Sequence, residues 1–599
     1  MNAPVRPETL PQWRLDDLYA DRNDPRIDAD LQAAKAANDA LVALKGQFAA
    51  ARADAPKLGE LLDRGVRLYE QTTNGLWGVG AYASLAASTA RDDPAWSKFE
   101  ADLRARSSQI AADSLFFTLE INQLDDAEIE AALASHPPAA RWRPWLRRVR
   151  LSRPHELSPE LERMMVERAP AVANWSRLSD ETLARLTARV GKETLTLPEL
   201  LNRLSSPDAA ARKNAAMGLA KALADRSPTL ALCLNTLAFE KQVEDRWRKH
   251  PDPAAARHLA NEVDAAAVAA LEEAVVDSYE RVSHRYYRLK ARIMGREALD
   301  HWDRNAPLDT APPRIYGWDE AKGLVLESFS ALAPKFAETA RIFFDQPWID
   351  ARPRPGKQSG AYSHPVTSER HPFVFMNYMG ERRDVLTLAH ELGHAVHQTL
   401  CAPLGTLLAD TPLTLAETAS IFGEGLVFER LLASATPEEK RGLLAGRIED
   451  ALNTVVRQIA FHRFETRFHA ARLEGELSPQ EIGGLWLEVM GESLGPAIRL
   501  NRGYEHYWAY VSHFVHAPFY VYAYAFGDLL VRALMEKRRE DPEGFAPLYE
   551  ALLSAGGTKT YVEALAPFGL DPREKAFWAA GMKQIERLVD EFETLVPEK

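Results

Sequence analysis

The sequence has 599 residues and a formal net charge of −12, and it is 46% hydrophobic and 26% charged. This composition is ordinary for a folded globular protein and excludes a chain dominated by disorder. The excess of acidic residues disfavours binding of nucleic acid through a broad phosphate-neutralising surface. Cys233 and Cys401 are the two cysteines of the sequence, so a disulfide framework and a thiolate metal site are excluded.

The N-terminal stretch MNAPVRPETLPQWRLDDLYADRNDP has neither a basic n-region nor an apolar h-region, which argues against a signal peptide. The sequence also contains no uncharged apolar run of the ~18 residues that a membrane span requires. We therefore expect a cytoplasmic protein with no membrane partner and no nucleic-acid partner. We expect it to be a monomer or a weak homodimer.

Helical periodicity dominates the chain from its N-terminal part onward. Apolar residues recur at intervals of three and four from Ala34 to Phe48, which predicts one buried helix face. Similar patterns rich in Ala, Leu, Glu and Arg cover the ranges 57–135, 156–245, 257–295 and 318–343. These patterns predict a mainly α-helical protein.

The helical pattern stops between Trp348 and Gly380, where Gly and Pro punctuate two short apolar or aromatic runs, GAYS and FVFMNY. The two runs predict strands of a small β-sheet at about 345–380. This sheet directly precedes the next predicted helix, and an exposed strand edge can pair with an extended peptide backbone. Gly360 and Ala361 of the first run are therefore candidates to contact such a peptide.

The next predicted helix, RRDVLTLAHELGHAVHQTL, contains the segment His390-Glu-Leu-Gly-His394. Residues four apart lie on one helix face, so the two imidazoles can bind one ion. We interpret Asp384 as the N-cap of this helix. With 16 His, and with all 85 acidic residues counted as Glu, chance produces roughly 0.06 such segments per chain. The segment predicts a zinc site, and the alternative is a histidine pair that is solvated or packed in the core.

A catalytic zinc uses three protein ligands and keeps a fourth position for water. Glu391 follows His390 in sequence, points to the side of the ion and can accept a proton from that water. The helix predicted next, TPLTLAETASIFGEGLVFERLL, offers Glu417 and Glu424 on one face. From spacing alone, Glu417 is either the third ligand or the glutamate of a capping box that begins at Thr414.

The segments LAHELGHAVH and LAETASIFGE together strongly resemble the oligoendopeptidase F branch of the thimet oligopeptidase family of zinc metallopeptidases. The resemblance extends to WRLDDLY near the N-terminus, to KQSGAYS and FMNYMG before the metal-binding helix, and to HFVHAPFYVYAYAFG near the C-terminus. It covers most of the chain, with the specific motifs between residues 357 and 527. The resemblance implies a zinc-dependent metalloendopeptidase that hydrolyses internal bonds of short, unfolded peptides.

The resemblance also implies roles for single residues around the metal. It identifies Glu417 as the third ligand of one zinc ion per chain, beside His390 and His394. Glu424 is then expected behind the ligands, where a carboxylate orients a metal-bound imidazole through its other N–H group. His397 is interpreted as a supporting residue, because the three ligand positions are already filled.

In the family that the sequence resembles, a C-terminal cluster of His and Tyr contacts the substrate and the developing oxyanion. The candidates in this sequence are His513, Tyr520, Tyr522 and Tyr524. The segment His516-Ala-Pro518 departs from the expected spacing, so the register of the tyrosines is open. We assign the catalytic roles to Tyr522 and His513, with Tyr520 as the second choice of donor and with Tyr520 and Tyr524 as substrate contacts. The alternative is an aromatic helix packed in the core.

For the fold, the resemblance implies a large helical body of two facing portions around a deep channel, with the small β-sheet next to the metal-binding helix. We divide the sequence into an N-terminal helical region, 1–200, and a catalytic zinc peptidase region, 201–599. Two rival functions stay open at this point. One is a helical zinc carboxypeptidase that captures a free C-terminal carboxylate, and the other is a peptide-binding scaffold that has lost catalysis.

Overall fold

The computed structural model describes residues 7–308 and 314–596. The chain divides into two compact units, each assembled from three separate stretches of sequence. Unit 1 comprises Met1–Arg153, Pro313–Ala433 and Arg538–Gly569, and unit 2 comprises Pro154–Pro312, Ser434–Lys537 and Leu570–Lys599. Because the units interleave along the chain, they do not test the proposed division into functional regions at residue 200, which stays a prediction.

Helices form most of the first half of the chain. In the first stretch of unit 1 they are α1 (Pro25–Val42), α2 (Gln47–Ala50), α3 (Ala55–Ser88), α4 (Pro94–Ala112), α5 (Leu115–Gln123), α6 (Asp126–Ser135), α7 (Pro137–Ala140) and α8 (Arg143–Arg150). The first stretch of unit 2 contains α9 (Pro159–Ala184), β1 (Thr187–Val190), β2 (Glu193–Thr196), α10 (Leu197–Arg203), α11 (Ala209–Ala224), α12 (Ser227–Arg248), α13 (Ala255–Ala260), α14 (Ala265–Val276), α15 (Arg285–Ile293) and β3 (Leu299–Asp300).

The second half of the chain contains a small sheet as well as helices. From residue 314 the order is α16 (Trp318–Ser330), α17 (Pro334–Asp345), β4 (Ile349–Asp350), β5 (Tyr362–His364), β6 (Phe373–Phe375), α18 (Arg382–Cys401), α19 (Thr406–Ala409), α20 (Leu413–Ala416) and α21 (Thr418–Ser434). The remaining elements are α22 (Pro437–Ala451), α23 (Arg457–Leu473), α24 (Pro479–Leu494), β7 (Ile498–Arg499), α25 (His513–His516), α26 (Tyr522–Glu540), α27 (Pro542–Leu553), α28 (Tyr561–Leu565) and α29 (Lys575–Thr594). The prediction of a mainly α-helical protein with a small sheet beside the metal-binding helix is confirmed.

The long helix α3 connects two hydrophobic cores of unit 1. Its N-terminal half contributes Leu58, Leu62 and Val66 to one core, and its C-terminal half contributes side chains such as Val79 and Leu85 to the other. The second core also contains Phe373 and Phe375 of β6. The sheet next to α18 is therefore anchored on the longest helix of the described chain, since burial of such apolar surface is the main stabilising term in folding.

Two of the predicted helical stretches differ from the structure. The stretch from Ala34 to Phe48 is two helices, because α1 ends at Val42 and Phe48 lies in α2. The apolar spacing continues across the turn since Leu41 and Phe48 face the same core. The range 156–245 is interrupted by an antiparallel hairpin in which β1 pairs with β2 and Thr187 lies opposite Thr196. These strands of four residues each lie between α9 and the seven-residue helix α10, and they are too short to show a clear twofold period.

The sheet before α18 has the strand order β4-β6-β5. β4 is parallel to β6, and β5 is antiparallel to it with Ser363 opposite Val374. The predicted strand GAYS begins two residues too early, because Gly360 has a φ of +93° and therefore leaves the extended conformation. Gly360 and Ala361 thus lie at the entrance to the edge strand β5, which packs on α18 together with β6.

The structure shows the state of the two cysteines and the length and polarity of the helices. Cys233 and Cys401 are both buried and free, as expected for small apolar side chains. In the ranges 7–308 and 314–596, every helix is too short or too polar to cross a membrane.

Candidate metal centre

Helix α18 begins at a reciprocal capping box. Glu381 is the N-cap, and the carboxylate of Asp384 accepts the N–H of Glu381 at 3.0 Å and the N–H of Met379 at 2.8 Å. The prediction that Asp384 is the N-cap is therefore wrong by three residues, because Arg382 and Arg383 already belong to the first helical turn. The capping box fixes the start of α18 and stabilises the helix that carries both histidines.

Three possible ligand atoms converge between α18 and the start of α21. Nε2 of His390 and Nε2 of His394 each lie 3.4 Å from Oε2 of Glu417. Their ligand atoms all lie within 4.8 Å of one another, and the described part of the chain offers no other such group of His, Cys, Asp or Glu. Two imidazole nitrogens and one carboxylate oxygen form a donor set that zinc accepts, so the cluster fits a metal ion.

The cluster remains accessible from outside the protein. The exposed fractions of the side chains are 27% for His390, 19% for His394 and 39% for Glu417. Structural zinc sites are closed by protein ligands, whereas catalytic sites keep a position for water or substrate. Three ligands with this accessibility match the catalytic type of site.

Glu417 lies between two helices and does not take part in the predicted capping box. Helix α20 has Pro412 as its N-cap and ends at Ala416, so Glu417 follows its C-terminal end. Oγ1 of Thr414 is buried and has no hydrogen-bond partner among the described residues. Ser420 donates instead to Oε2 of Glu417 at 2.8 Å. The capping-box alternative is therefore wrong, and Ser420 fixes the orientation of the carboxylate that faces the two histidines.

The distance between α18 and α21 depends on Gly393. A Cβ atom at this position would lie 2.5 Å from the carbonyl oxygen of Ala419 and 2.7 Å from Cα of Ser420. No side chain fits there without moving the backbone of α21. The helices touch through their main chains, which keeps Glu417 within reach of His390 and His394. The spacing of the histidines gives no signal for this close approach.

Glu424 contacts the other ring nitrogen of His390. Its Oε2 lies 3.4 Å from Nδ1 of His390, which leaves Nε2 directed at Glu417. Burial lowers the pKa of His390, but the carboxylates of Glu417 and Glu424 outweigh burial and raise it to about 10. Burial raises the pKa of Glu417, and the contacts with His390 and His394 outweigh it and lower this pKa far below its usual range. Without a metal ion, the cluster holds a proton, and a metal ion that bound there would displace that proton.

His397 is buried one turn beyond His394 and braces the segment before Glu417. Its Nε2 lies 3.5 Å from Oγ1 of Thr411, and its ring makes a hydrogen bond with the backbone of Ala416. Burial lowers the pKa of His397 to about 4, so the ring is neutral at pH 7. The ring is not among the three converging ligand atoms.

Glu391 is buried between α18 and the edge strand β5. Burial raises the pKa of its carboxyl group, while the charges of His390 and His394 and a hydrogen bond with the backbone of Ser363 lower it. Ser363 also donates through Oγ to Oε1 of Gln398 at 2.8 Å. These two contacts tie β5 to α18 on the side of Glu391.

Tyr522 points into the interior of unit 2. Its side chain is fully buried, and its hydroxyl oxygen accepts a hydrogen bond from Nδ2 of Asn261 at 2.9 Å and lies 3.0 Å from Nδ1 of His258. Burial raises the pKa of this hydroxyl group. This environment corresponds to the alternative of an aromatic side chain packed in a core, and it is unfavourable to Tyr522 as a group that contacts substrate.

His513, Tyr520 and Tyr524 lie together in unit 2. Nε2 of His513 is 3.1 Å from the hydroxyl oxygen of Tyr524. The ring of Tyr520 is parallel to that of His513 within 9°, with centroids 6.3 Å apart. Tyr524 is 39% exposed. A histidine and a tyrosine hydroxyl are therefore paired on the accessible side of this segment.

Residues that the sequence did not indicate hold this aromatic segment in place. Phe519 has a φ of +60°, and its N–H donates to Oε1 of the buried Glu465 at 2.8 Å. Arg257 donates to the carbonyl oxygen of Pro518 at 3.2 Å and lies 5.5 Å from the ring centroid of Tyr520. Burial raises the pKa of Glu465 to about 8. Helices α13 and α23 supply these contacts, and no short motif links them to the aromatic segment.

Comparison with known proteins agrees with the fold and the cluster. The family described as Peptidase family M3 matches residues 327–584, and the one described as Oligopeptidase F matches residues 120–187. The first match contains His390, His394 and Glu417. The helical fold, the His-His-Glu cluster and this match define a metalloendopeptidase. Residues 327–584 are similar to peptidase family M3.

Whole-chain relatives agree with this assignment. The chain is 24% identical over 602 residues to Oligopeptidase PepF of Bacillus subtilis (strain 168), covering 98% of this chain and 87% of the relative. A solved Chlamydophila abortus structure is 22% identical, with a TM-score of 0.86 over 99% of this chain and 100% of that chain. Oligoendopeptidase-F from Enterococcus faecium is 20% identical, with a TM-score of 0.69 over 97% of this chain and 98% of that chain. The two structures establish the fold alone.

Proposed function

We propose that this metalloendopeptidase holds one zinc ion per chain with His390, His394 and Glu417 and hydrolyses internal bonds of short, unfolded peptides. The observation that carries the proposal is the convergence of the three ligand atoms next to the buried carboxylate of Glu391. The name of the Bacillus subtilis relative, Oligopeptidase PepF, supports short peptides as the substrate class. All of these residues fall within the predicted catalytic region 201–599.

Glu391 is the proposed general base and acid. A zinc ion held by His390, His394 and Glu417 would supply Lewis-acid chemistry, namely polarisation of the scissile carbonyl and a lower pKa, towards ~7, for water. Glu391 accepts a proton from the attacking water and later donates it to the nitrogen of the leaving amine. Its side chain is kept beside the cluster by burial and by the backbone of Ser363, so it need not be a ligand to take part.

The edge strand β5 is the proposed guide for the substrate backbone. Ser363 connects this strand to Glu391, so a peptide paired with β5 would run alongside the catalytic helix. Main-chain hydrogen bonds to a strand edge hold a peptide extended and are tolerant of its sequence. Gly360 and Ala361 are proposed to contact the peptide where it enters this edge.

We assign the hydrogen-bond donors for the developing oxyanion to His513 and Tyr524 in place of Tyr522, and we retain Tyr520 as a substrate contact. Tyr524 is exposed and paired with His513, whereas the hydroxyl group of Tyr522 is buried against Asn261. Removal of one such donor costs on the order of 10²- to 10³-fold in kcat in other hydrolases. Glu424 and His397 are proposed to hold His390 and the segment before Glu417 in position.

The activity is tested with a mixture of peptides blocked at both termini, incubated with the purified protein with and without a chelator. We expect internal cleavage, identified from product masses, that stops when the metal is removed. A zinc carboxypeptidase would leave blocked peptides intact, and a scaffold without catalysis would leave every peptide intact. A stable folded protein should survive under native conditions, because unfolding it costs about 5 to 15 kcal/mol.

A further inference from the structure

Trp77 is a large apolar side chain that the fold leaves exposed beside the edge strand β5. It lies on α3, and it is 51% exposed. Its ring centroid is 6.1 Å from that of His364, the last residue of β5. Single exposed apolar residues are common on protein surfaces, so the meaning of Trp77 depends on what lies beside it.

The two faces of β5 pack against two different helices. On one face, the hydroxyl group of Ser363 donates to a glutamine of α18 at 2.8 Å. On the opposite face, the hydroxyl group of Tyr362 donates to Oγ of Ser88 on α3 at 2.7 Å. The ring of His364 faces Trp77 on the same helix. Trp77 and Ser88 are about three turns apart and so share one side of α3. Strand β5 is therefore held between α18 and α3.

The outer edge of β5 can accept one more strand. In the described part of the chain β5 pairs with β6 alone, since the strand order is β4-β6-β5. A peptide on this edge lies about 5 Å away and directs successive side chains alternately towards α18 and towards α3. The peptide residue opposite His364 then has its side chain on the side of Trp77.

The surface of α3 beside the indole has room for such a side chain. A Cβ atom at Gly80, about one turn beyond Trp77, would have no neighbour within 4 Å among the described residues outside its own helix. A peptide side chain that packs against the indole there does not have to displace another side chain. The exposed indole face is thus available to a ligand in the structure as it stands.

The contact is apolar and uncharged at neutral pH. Nδ1 of His364 accepts the N–H of Val366 at 3.1 Å, which leaves the ring proton on Nε2. Burial lowers the pKa of His364 to about 4, so the ring is neutral at pH 7. An indole next to a neutral imidazole favours aliphatic and aromatic side chains, because they lose no hydration of a charge when they pack there.

We propose that Trp77 is a specificity-determining residue that packs against one apolar side chain of the peptide substrate. The proposal rests on the proposed function, in which the peptide pairs with β5, and it adds a position at which side chains are distinguished. Because β5 packs on α18, the helix that carries Glu391, this position lies at a fixed separation from the cleaved bond. The two neighbouring peptide residues face α18 and do not reach Trp77.

Peptides blocked at both ends and varied at one position test the preference. Phe, Ala or Lys is placed at each position in turn, and product masses locate the cleaved bond. At one position we expect the wild-type protein to cleave the Phe peptide with a kcat/KM roughly 3- to 10-fold above that of the Ala peptide, as a contact between aromatic rings would give. The Lys peptide should show no such gain. A gain for Lys equal to that for Phe would indicate a cation–π site instead and would overturn the proposal.

Substitutions assign the gain to Trp77. Trp77→Ala should reduce the Phe-to-Ala ratio of kcat/KM towards one, mainly through KM, because the contact is present in both the bound substrate and the transition state. Trp77→Phe should retain part of the ratio, since it keeps an aromatic face. Trp247→Ala is the matched control, because Trp247 on α12 is 54% exposed, and it should keep the wild-type ratio.

Binding without turnover distinguishes failure of this inference from failure of the proposed function. Calorimetric titration of the zinc-loaded Glu391→Gln variant, with and without Trp77→Ala, gives the Phe-to-Ala affinity ratio directly. Absence of cleavage of every peptide would contradict the proposed function, while the titration still tests Trp77. A ratio that is unchanged by Trp77→Ala, or that changes equally at adjacent peptide positions, would overturn this inference alone.

Discussion

The metal cluster of unit 1 and the aromatic cluster of unit 2, which consists of His513, Tyr520 and Tyr524, differ in the sequence separation between the cluster and the residues that support it. His390, His394 and Glu417 come from α18 and the junction before α21, with only short elements between them. The aromatic segment is held by Glu465, 54 positions from Phe519, and by Arg257, 261 positions from Pro518. A site built from neighbouring helices can be read from spacing, whereas a site oriented by distant helices requires the fold.

The largest effect is expected from a substitution that removes the proton acceptor beside the metal cluster and leaves the three metal ligands in place. Glu391→Gln keeps the size of the side chain but cannot accept a proton. We expect zinc content to stay at the wild-type level and kcat to fall by about 10²- to 10⁴-fold. Steady-state kinetics with a blocked peptide and metal analysis of the same sample check both parts. Unchanged kcat would refute the assignment of Glu391 as the base.

A second change tests the register of the aromatic cluster. Tyr524→Phe removes the hydroxyl group that lies 3.1 Å from His513, and we expect kcat to fall by about 10²- to 10³-fold with little change in KM. Tyr522→Phe is the matched control. It removes a buried hydroxyl group bonded to Asn261, so we expect mainly a loss of stability, of about 1 to 3 kcal/mol. If Tyr522→Phe alone lowered kcat, the register taken from the sequence would be correct.

A third substitution tests whether Glu424 orients a metal ligand without binding the metal itself. Glu424→Gln weakens the contact with Nδ1 of His390, and we expect zinc affinity to fall by about 10- to 100-fold, measured by competition with a chelator. The same substitution at Glu429 on α21, which pairs with Arg539, is the control and should leave zinc affinity unchanged. Equal zinc affinity in the Glu424→Gln variant would show that His390 is oriented by other contacts.

The smallest expected effect on catalysis comes from Glu465, the buried support of the aromatic segment. Its folded pKa, about 8, exceeds that of an unfolded glutamate, so the stability conferred by the neutral group is fully present below about pH 4.5. That stability is lost as the pH rises from there to 8, by about 1.4 kcal/mol per pH unit. Glu465→Gln can still accept the N–H of Phe519 and should not show this loss. Denaturant unfolding at pH 5 to 8 measures the difference, and parallel pH profiles of the two proteins would contradict it.

The sequence predicted the local parts of the molecule well. The spacing of His390 and His394, with the resemblance at Glu417, anticipated which residues converge, because all three belong to motifs that are contiguous or nearly so. Helical content followed from periodicity over long stretches. The contribution of Gly393 was not predicted, since its role appears only when the backbone of α21 is placed against α18.

The order of the three tyrosines, which the sequence left open, and the start of strand β5, which it misplaced, both depend on tertiary structure. Tyr520, Tyr522 and Tyr524 occupy every second position of one segment, so the sequence gives no reason to prefer one of them as the donor. Tyr522 differs from the other two because its hydroxyl group is buried against Asn261 and His258. Strand β5 begins two residues later than predicted because the φ angle of Gly360 is positive. The two facing portions and the deep channel implied by the resemblance stay a prediction, as does the division at residue 200.

The central claim is that His390, His394 and Glu417 hold one catalytic zinc ion, and its most direct test is zinc content and activity measured on the same samples. We predict about one zinc per chain in the wild-type protein, lower occupancy in each of the three alanine variants, and activity that a chelator abolishes and added zinc restores. Full activity in the metal-free protein, or tight zinc and full activity in the Glu417→Ala variant, would contradict the account.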